Sequence, residues 1–265
     1  TISTPEVITC ATTEVVLSAN ATGVEYLWNN GETVSENTVT TSGTYSITVT
    51  DVINGCTAST TVVVNDNLEQ PSVGITGNTP LNCTNTIIVL SATSDSTVSY
   101  KWSDGTSNAS TTVDNTVADG SVYAVTLTNT TNGCTATDAV TVSVSTDNPE
   151  IGIQGNETLN CTTTEIVLTV TSNKTVSYNW STGATVSTIV VSNAVADGTV
   201  YSVEITDAVN GCTSSASISV SVDIASPTVT IPAVGQIDCA TTERTLVANT
   251  NAAHAVSYLW STTGT

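Results

Sequence analysis

The feature that most constrains this chain is its internal periodicity. The tripeptide Asn-Gly-Cys ends at Cys56, Cys134 and Cys212, two steps of 78 residues. Tyr45, Tyr123 and Tyr201 keep that step, as do Pro71, Pro149 and Pro227. Trp28, Trp102, Trp180 and Trp260 recur at 74, 78 and 80 residues, each two residues after a tyrosine. A fixed period of this size means that one supersecondary unit is reused along the chain.

The unit read from Pro149 breaks into short runs: PEIGIQGNETLNC, TEIVLTVTS, TVSYNWSTG, ATVSTIVVS, VADGTVYSVEITDAVNGC and TSSASISVSV. Each run is β-branched and ends in Gly, Asn, Asp or Ser. About seven strands at roughly ten-residue spacing predict a β-sandwich. Tyr201, Val203 and Ile205 form one period-2 face, and Ile218, Val220 and Val222 another. The Asn-Gly between them predicts a tight hairpin with positive φ at both central residues. The recurrent proline, placed after the last strand of the preceding unit, marks a linker. The expected division is 1–67, 68–146, 147–224 and 225–265, with linkers near 65–70, 146–148 and 224–226. Linkers this short predict a quasi-one-dimensional rod of touching units. The first unit starts nine residues before Cys10, and the fourth runs five residues past Trp260. We expect the missing strands of the fourth to lie downstream in the same polypeptide, with donation by another subunit as the alternative. The absence of Met points the same way, to an internal or processed stretch.

Composition narrows the function classes. Asp plus Glu number 23 against three Lys plus Arg, a formal charge of −20. Such a chain is repelled by nucleic acid and by anionic lipid. No apolar run is long enough to span a bilayer, and no signal-peptide core stands at the N-terminus. High net charge favours disorder, but alternating Val, Ile and Thr fit half-buried strands, so the chain is expected to fold.

Seven cysteines stand at 10, 56, 83, 134, 161, 212 and 239. The units pair them as Cys10–Cys56, Cys83–Cys134 and Cys161–Cys212, with the partner of Cys239 outside the sequence. A closed loop of roughly 50 residues gains about 4 kcal/mol in the chain-entropy model. That matters for a unit of this size lacking Phe and Met. Zinc is disfavoured, since neither C-x-x-C spacing nor histidine partners occur. Disulfides place the protein outside the cytosol.

Trp-Ser-Thr-Gly at 180–183, Gly-Thr-x-Tyr at 198–201 and Asn-Gly-Cys-Thr at 210–213 resemble the Ig-like/PKD-like repeats of Bacteroidota surface proteins. The closest likeness is to gliding-motility adhesins exported by the type IX secretion system. The resemblance covers essentially the whole chain and implies tandem sandwiches, whereas the role varies among adhesins, sheath proteins and enzyme appendages. The sequence departs from antibody-type domains, because the second cysteine follows the tyrosine by eleven residues rather than two.

The search for chemistry returns little. His254 is the one histidine and reads as an exposed loop residue, and a Ser-His-Asp set cannot recur around a single His. Asp119 and Asp197 recur in Val-Ala-Asp-Gly and read as turn formers. Lys101 and Lys174 differ in position relative to their tryptophans, which argues against internal isopeptide bonds. Asp66 and Asp147 are the calcium candidates, their linkers resembling cadherin inter-domain segments, with solvated turn residues as the simpler reading. Eight Asn-x-Ser/Thr sequons occur, about what chance supplies in so hydroxyl-rich a chain. Asn108, Asn173 and the Asp95-Ser96-Thr97 site at Ser96 and Thr97 remain glycosylation candidates. Trp28, Trp102, Trp180, Trp260, Tyr45, Tyr123 and Tyr201 are read as core.

The expected protein is therefore an all-β tandem array of Ig-like/PKD-like sandwiches with one disulfide per domain, non-enzymatic and without a resident cofactor. It is expected at the cell surface as an adhesin stalk or filament, its partners copies of itself end to end, and glycans. A carbohydrate-binding repeat module, or a spacer attached to a secreted hydrolase, is the alternative.

Overall fold

A computed structural model describes residues 1–261; the last four residues of the expected fourth unit lie outside the described residues. The fold is an all-β tandem array of Ig-like sandwiches, with no helix among the described residues. By contact density it forms two compact units. One comprises Thr1–Asp147 together with Asn210–Cys212, the other Asn148–Val209 together with Thr213 onward.

The second repeat shows how the sequence makes a sandwich. Ile87–Thr93 lies between Ser110–Asp114 and Gly74–Thr76 in one antiparallel sheet. In the other, Ser121–Asn129 lies between Val98–Trp102 and Thr135–Val142. Alternation sends Ile88, Leu90 and Ala92 inward from the first sheet, to meet Trp102, Val125, Leu127 and Val142 from the second. Polar partners on the outer faces let each strand be wet on one side. A short parallel pairing, Leu81–Asn82 with Val144–Ser145, closes the rim. There the Asp119 carboxylate accepts from the Val144 amide at 2.8 Å, a role Asp197 repeats with Val222. These aspartates therefore hold an edge strand as well as forming a turn.

The third repeat copies this arrangement in Glu165–Thr171, Val176–Trp180, Thr188–Ser192, Thr199–Asp207 and Thr213–Val220. The first repeat keeps both sheets, but at its N-terminal edge has only a bridge from Ile2 to Ala19. Each of the three has its own apolar cluster. Among its described residues the fourth shows only Val229–Thr230 paired with Asn249–Thr250.

Trp28, Trp102 and Trp180 are 1–2% exposed. Each donates its indole N–H to a backbone carbonyl, that of Val34, Asn108 or Val186, at 2.9–3.0 Å. A buried indole needs such an acceptor. Tyr45, Tyr123 and Tyr201 are half-buried and pack against the cluster margins rather than inside them. Trp260 departs from the core expectation, at 50% exposed beside a fully exposed Leu259. Val125 and Val203 lie across from Trp102 and Trp180 in paired strands. Among the described residues Trp260 sits in no strand and has no such neighbour.

Candidate functional site: cystine joints between repeats

The cysteines provide the one chemistry that recurs, and they are not paired within repeats. Cys10 is bonded to Cys134 and Cys83 to Cys212, with Cα atoms 4.9 and 5.1 Å apart. Cys56, Cys161 and Cys239 are free and exposed. The expected pairs Cys10–Cys56, Cys83–Cys134 and Cys161–Cys212 are thus corrected, and with them the idea of one staple inside each domain.

Strand polarity explains the correction. Ile8–Thr9, just before Cys10, pairs with Asp66–Asn67, just past the end of the last strand, Thr57–Val64. Cys56 precedes the start of that same strand. Eight residues of strand put the two about 26 Å apart, while a disulfide tolerates a Cα separation of about 7 Å at most. The first cysteine of a repeat therefore sits at the end where the chain leaves it, the second at the opposite end. A first cysteine cannot meet the second cysteine of its own repeat, and meets that of the following one at Cys10–Cys134 and Cys83–Cys212.

The Asn-Gly-Cys turn is built for this meeting. It closes a four-residue loop, with Asp51 N–H donating to Cys56 O at 2.9 Å and Asn129 N–H to Cys134 O at 2.8 Å. Only the glycine has positive φ, 72°, 73° and 70° at Gly55, Gly133 and Gly211. The two-residue turn expected from the sequence is thus replaced by a longer loop. The asparagine carbonyl accepts from the cysteine amide two residues on, at 2.8, 2.9 and 3.0 Å for Asn54, Asn132 and Asn210. This Asx bond leaves the side-chain NH₂ pointing outward as a double donor.

At each bonded joint that amide finds two acceptors. Asn132 Nδ2 donates to Asn67 Oδ1 and to Glu69 O, both at 2.9 Å. Asn210 Nδ2 donates to Asp147 O at 2.9 Å and to Ser145 Oγ at 3.4 Å. Both asparagines are almost fully buried. The backbone completes the dock, with Ala11 N–H on Asn132 O at 3.2 Å and Cys83 N–H on Asn210 O at 3.1 Å. A Cβ at Gly133 would lie 2.7 Å from Ala11 Cβ, and one at Gly211 2.5 Å from Thr84 Cγ2. Glycine is required there both by φ and by contact. On the receiving side, Thr84 and Asn85 N–H both donate to Asn82 Oδ1, at 2.9 and 2.7 Å, shaping the loop that holds Cys83. The same bonds shape the loops of Cys161 and Cys239 through Asn160 and Asp238.

The other candidates are not gathered into a site. Asp66 accepts from Ser42 Oγ at 2.6 Å, and Asp147 contributes its carbonyl to the joint described above. Among the described residues no group of three or more His, Cys, Asp or Glu could hold a metal ion. Ser96, Thr97, Asn108 and Asn173 are exposed, and Asn173 Oδ1 accepts from Glu150 N–H at 3.0 Å. His254 is exposed, 3.3 Å from Asp223. Lys174 is 3.0 Å from the buried Asp207. Burial pushes the Asp104 carboxyl up, but hydrogen bonds from Thr111 and Thr106 outweigh this and hold it below the usual carboxylate range. Among the described residues no helix is long and apolar enough to cross a membrane.

No protein-family model matches the sequence, and neither does any curated protein. Among solved structures the chain is similar to the three N-terminal domains of the bacteriophage RB49 Highly Immunogenic Outer Capsid protein. That alignment has 15% identity and a TM-score of 0.38, and covers 85% of this chain and 100% of that one. It is also similar to extracellular domains 3-5 of Drosophila OTK, at 10% identity and a TM-score of 0.33, covering 84% and 92%. The N-terminal four Ig domains of Dscam1 isoform 8.4 align at 14% identity with a TM-score of 0.24, covering 80% and 69%.

Proposed function

We propose that this chain is a non-enzymatic extracellular structural protein, a repetitive array that serves as a surface filament or adhesin stalk. The observation that carries this reading is the placement of the cystines. A disulfide inside a domain stabilises that domain, whereas Cys10–Cys134 and Cys83–Cys212 each tie one repeat to the next. The chain therefore has a covalent route past its linkers, which suits a protein that transmits tension. Disulfides persist in oxidising surroundings, which supports secretion or display at a surface. An excess of negative charge keeps such arrays soluble and apart from anionic surfaces.

The carbohydrate-binding alternative would use exposed aromatic platforms. Trp28, Trp102 and Trp180 are instead buried with their indole N–H groups occupied, so the repeats present none of the three to a sugar. Electron microscopy of the native, unreduced protein tests the proposal. Uniform fibres or thin strings of beads are expected, the former meaning end-to-end association and the latter a tethered stalk. Isolated compact particles that bind a glycan column through this region would refute it.

A further inference from the structure

The loop of Cys161, the first cysteine of the third repeat, lies in the second unit and is unbonded. A cavity there is lined by Cys161, Thr162, Asp223 and Ala225, with His254 at its edge. By strand register, Asn67, Ser145 and Asp223 are equivalent positions, each paired with the residue just before a first cysteine, Thr9, Asn82 and Asn160 respectively. The four lining residues thus match Cys10, Ala11, Asn67 and Glu69 at one bonded joint, and Cys83, Thr84, Ser145 and Asp147 at the other. At both of those joints this set of residues receives an Asn-Gly-Cys turn.

We propose that this cavity is a socket for an Asn-Gly-Cys turn, sealed by a disulfide to Cys161, and that the turn belongs to the repeat opened by Pro227. The chemistry fits at each position. The Asp223 carboxylate replaces Asn67 Oδ1 or Ser145 Oγ as acceptor for the incoming asparagine amide, and the Ala225 carbonyl replaces those of Glu69 and Asp147. Thr162, like Thr84, leaves room for glycine alone. The Asn160 bonds that hold the Cys161 loop are already made, at 2.8 Å each. Asn251 to Val256 of the fourth repeat line the same cavity, which places that repeat beside the socket. In the complete repeats the second cysteine follows the tryptophan by 28, 32 and 32 residues, so the matching turn falls past Thr265. Sealing is a two-electron oxidation: two thiols lose two protons and two electrons to a disulfide oxidant of the exporting compartment, which is reduced to its dithiol.

The test is peptide mapping, without reduction, of the polypeptide that carries the whole fourth repeat. The expected result is one linked pair joining the Cys161 peptide to the second cysteine of that repeat. Asp223→Val should slow its formation in a glutathione redox buffer by about tenfold, whereas Asp223→Asn, which keeps the acceptor, should not. A Cys161 that alkylates freely, or that is bonded to Cys239, overturns the proposal. A bond from Cys161 to Cys56 of a second copy overturns the assignment to the fourth repeat. Equal rates for Asp223→Val and the parent would show that the socket plays no part.

Discussion

Stretching one molecule from its two ends offers a direct reading of the cystine pattern. With both bonds intact, the shortest covalent path from residue 10 to residue 212 crosses to 134, returns along the backbone to 83, and crosses again to 212. That path contains about 51 residues of backbone in place of 202. At about 3.5 Å per extended residue, reduction should release roughly 53 nm of contour length. Pairs within repeats would hide almost the same length, so the total alone does not discriminate; single substitutions do. Cys56→Ser leaves the path unchanged in this structure, whereas a Cys10–Cys56 bond would make it add 46 residues, about 16 nm. Cys134→Ser opens only the first bond, and the path then runs from 10 to 83 along the backbone and across to 212. It lengthens by 22 residues, about 8 nm, against 51 residues and about 18 nm for a Cys83–Cys134 bond. The assay is single-molecule force spectroscopy with and without a phosphine reductant. A 16 nm gain in the Cys56→Ser chain would refute the joint, and with it the account of strand polarity that explains it.

Three further outcomes follow from the same structure. Gly133→Ala and Gly55→Ala share a backbone penalty of about 1 kcal/mol, but only the former meets a neighbour, Ala11 Cβ at 2.7 Å; thermal denaturation should show the larger loss for Gly133→Ala, and equal losses would contradict the docking geometry. Trp180→Ala should cost about 3–5 kcal/mol by urea denaturation, since it empties the centre of the third core and orphans the Val186 carbonyl; a cost below about 1 kcal/mol would contradict that placement. The depressed Asp104 carboxyl contributes stability that is present above its unfolded value, near 4, and is lost as pH falls through the lower folded value. Tryptophan-monitored denaturation between pH 5 and 2 should therefore show a smaller acid loss in Asp104→Asn than in the parent.

The parts of the fold that were legible in the sequence are those set by local rules. Period-2 alternation identified the core-facing sides of Tyr201–Ile205 and Ile218–Val222, because a strand buried on one face must alternate. The four tryptophans looked alike in sequence, and three are alike in structure. Trp260 differs because burial belongs to the strands across from it, which no reading of its own neighbours could supply. One position shows how loosely chemistry follows the repeat. Where Asn30 and Asn37 exchange two amide bonds at 3.1 Å, the second repeat uses the Asp104 carboxylate on Thr111 and the third has Thr182 and Ile189. The same two positions hold an amide pair, then a carboxylate and a hydroxyl, then an exposed threonine and an isoleucine packed against the core, so period alone did not expose the change.

The cysteine pairing was the largest misreading, and the reason is physical. Counting two cysteines in a unit treats pairing as a matter of proximity in sequence, but a disulfide is decided by which end of the sandwich each residue occupies. That information was present in outline. Thr57–Val64, an eight-residue strand, starts next to one cysteine and ends near the residues that flank the other, and a run of β-branched residues of that length cannot fold back within itself. Once the strand is extended, its two ends are about 26 Å apart, and the thiol that meets Cys10 is Cys134 of the next repeat. The same geometry accounts for the asparagine, which the sequence reading assigned to a turn. Its carbonyl does make the turn, while its NH₂ group, which turn formation leaves unused, is spent on the end of the preceding repeat and on the linker at Asn132 and Asn210 and stays solvent-exposed at Asn54. An Asn-Gly-Cys that needed only to turn could as well be Asp-Gly-Cys. The recurrence of the amide rather than the acid follows from two acceptors waiting across the joint, one a carbonyl oxygen that would repel a carboxylate.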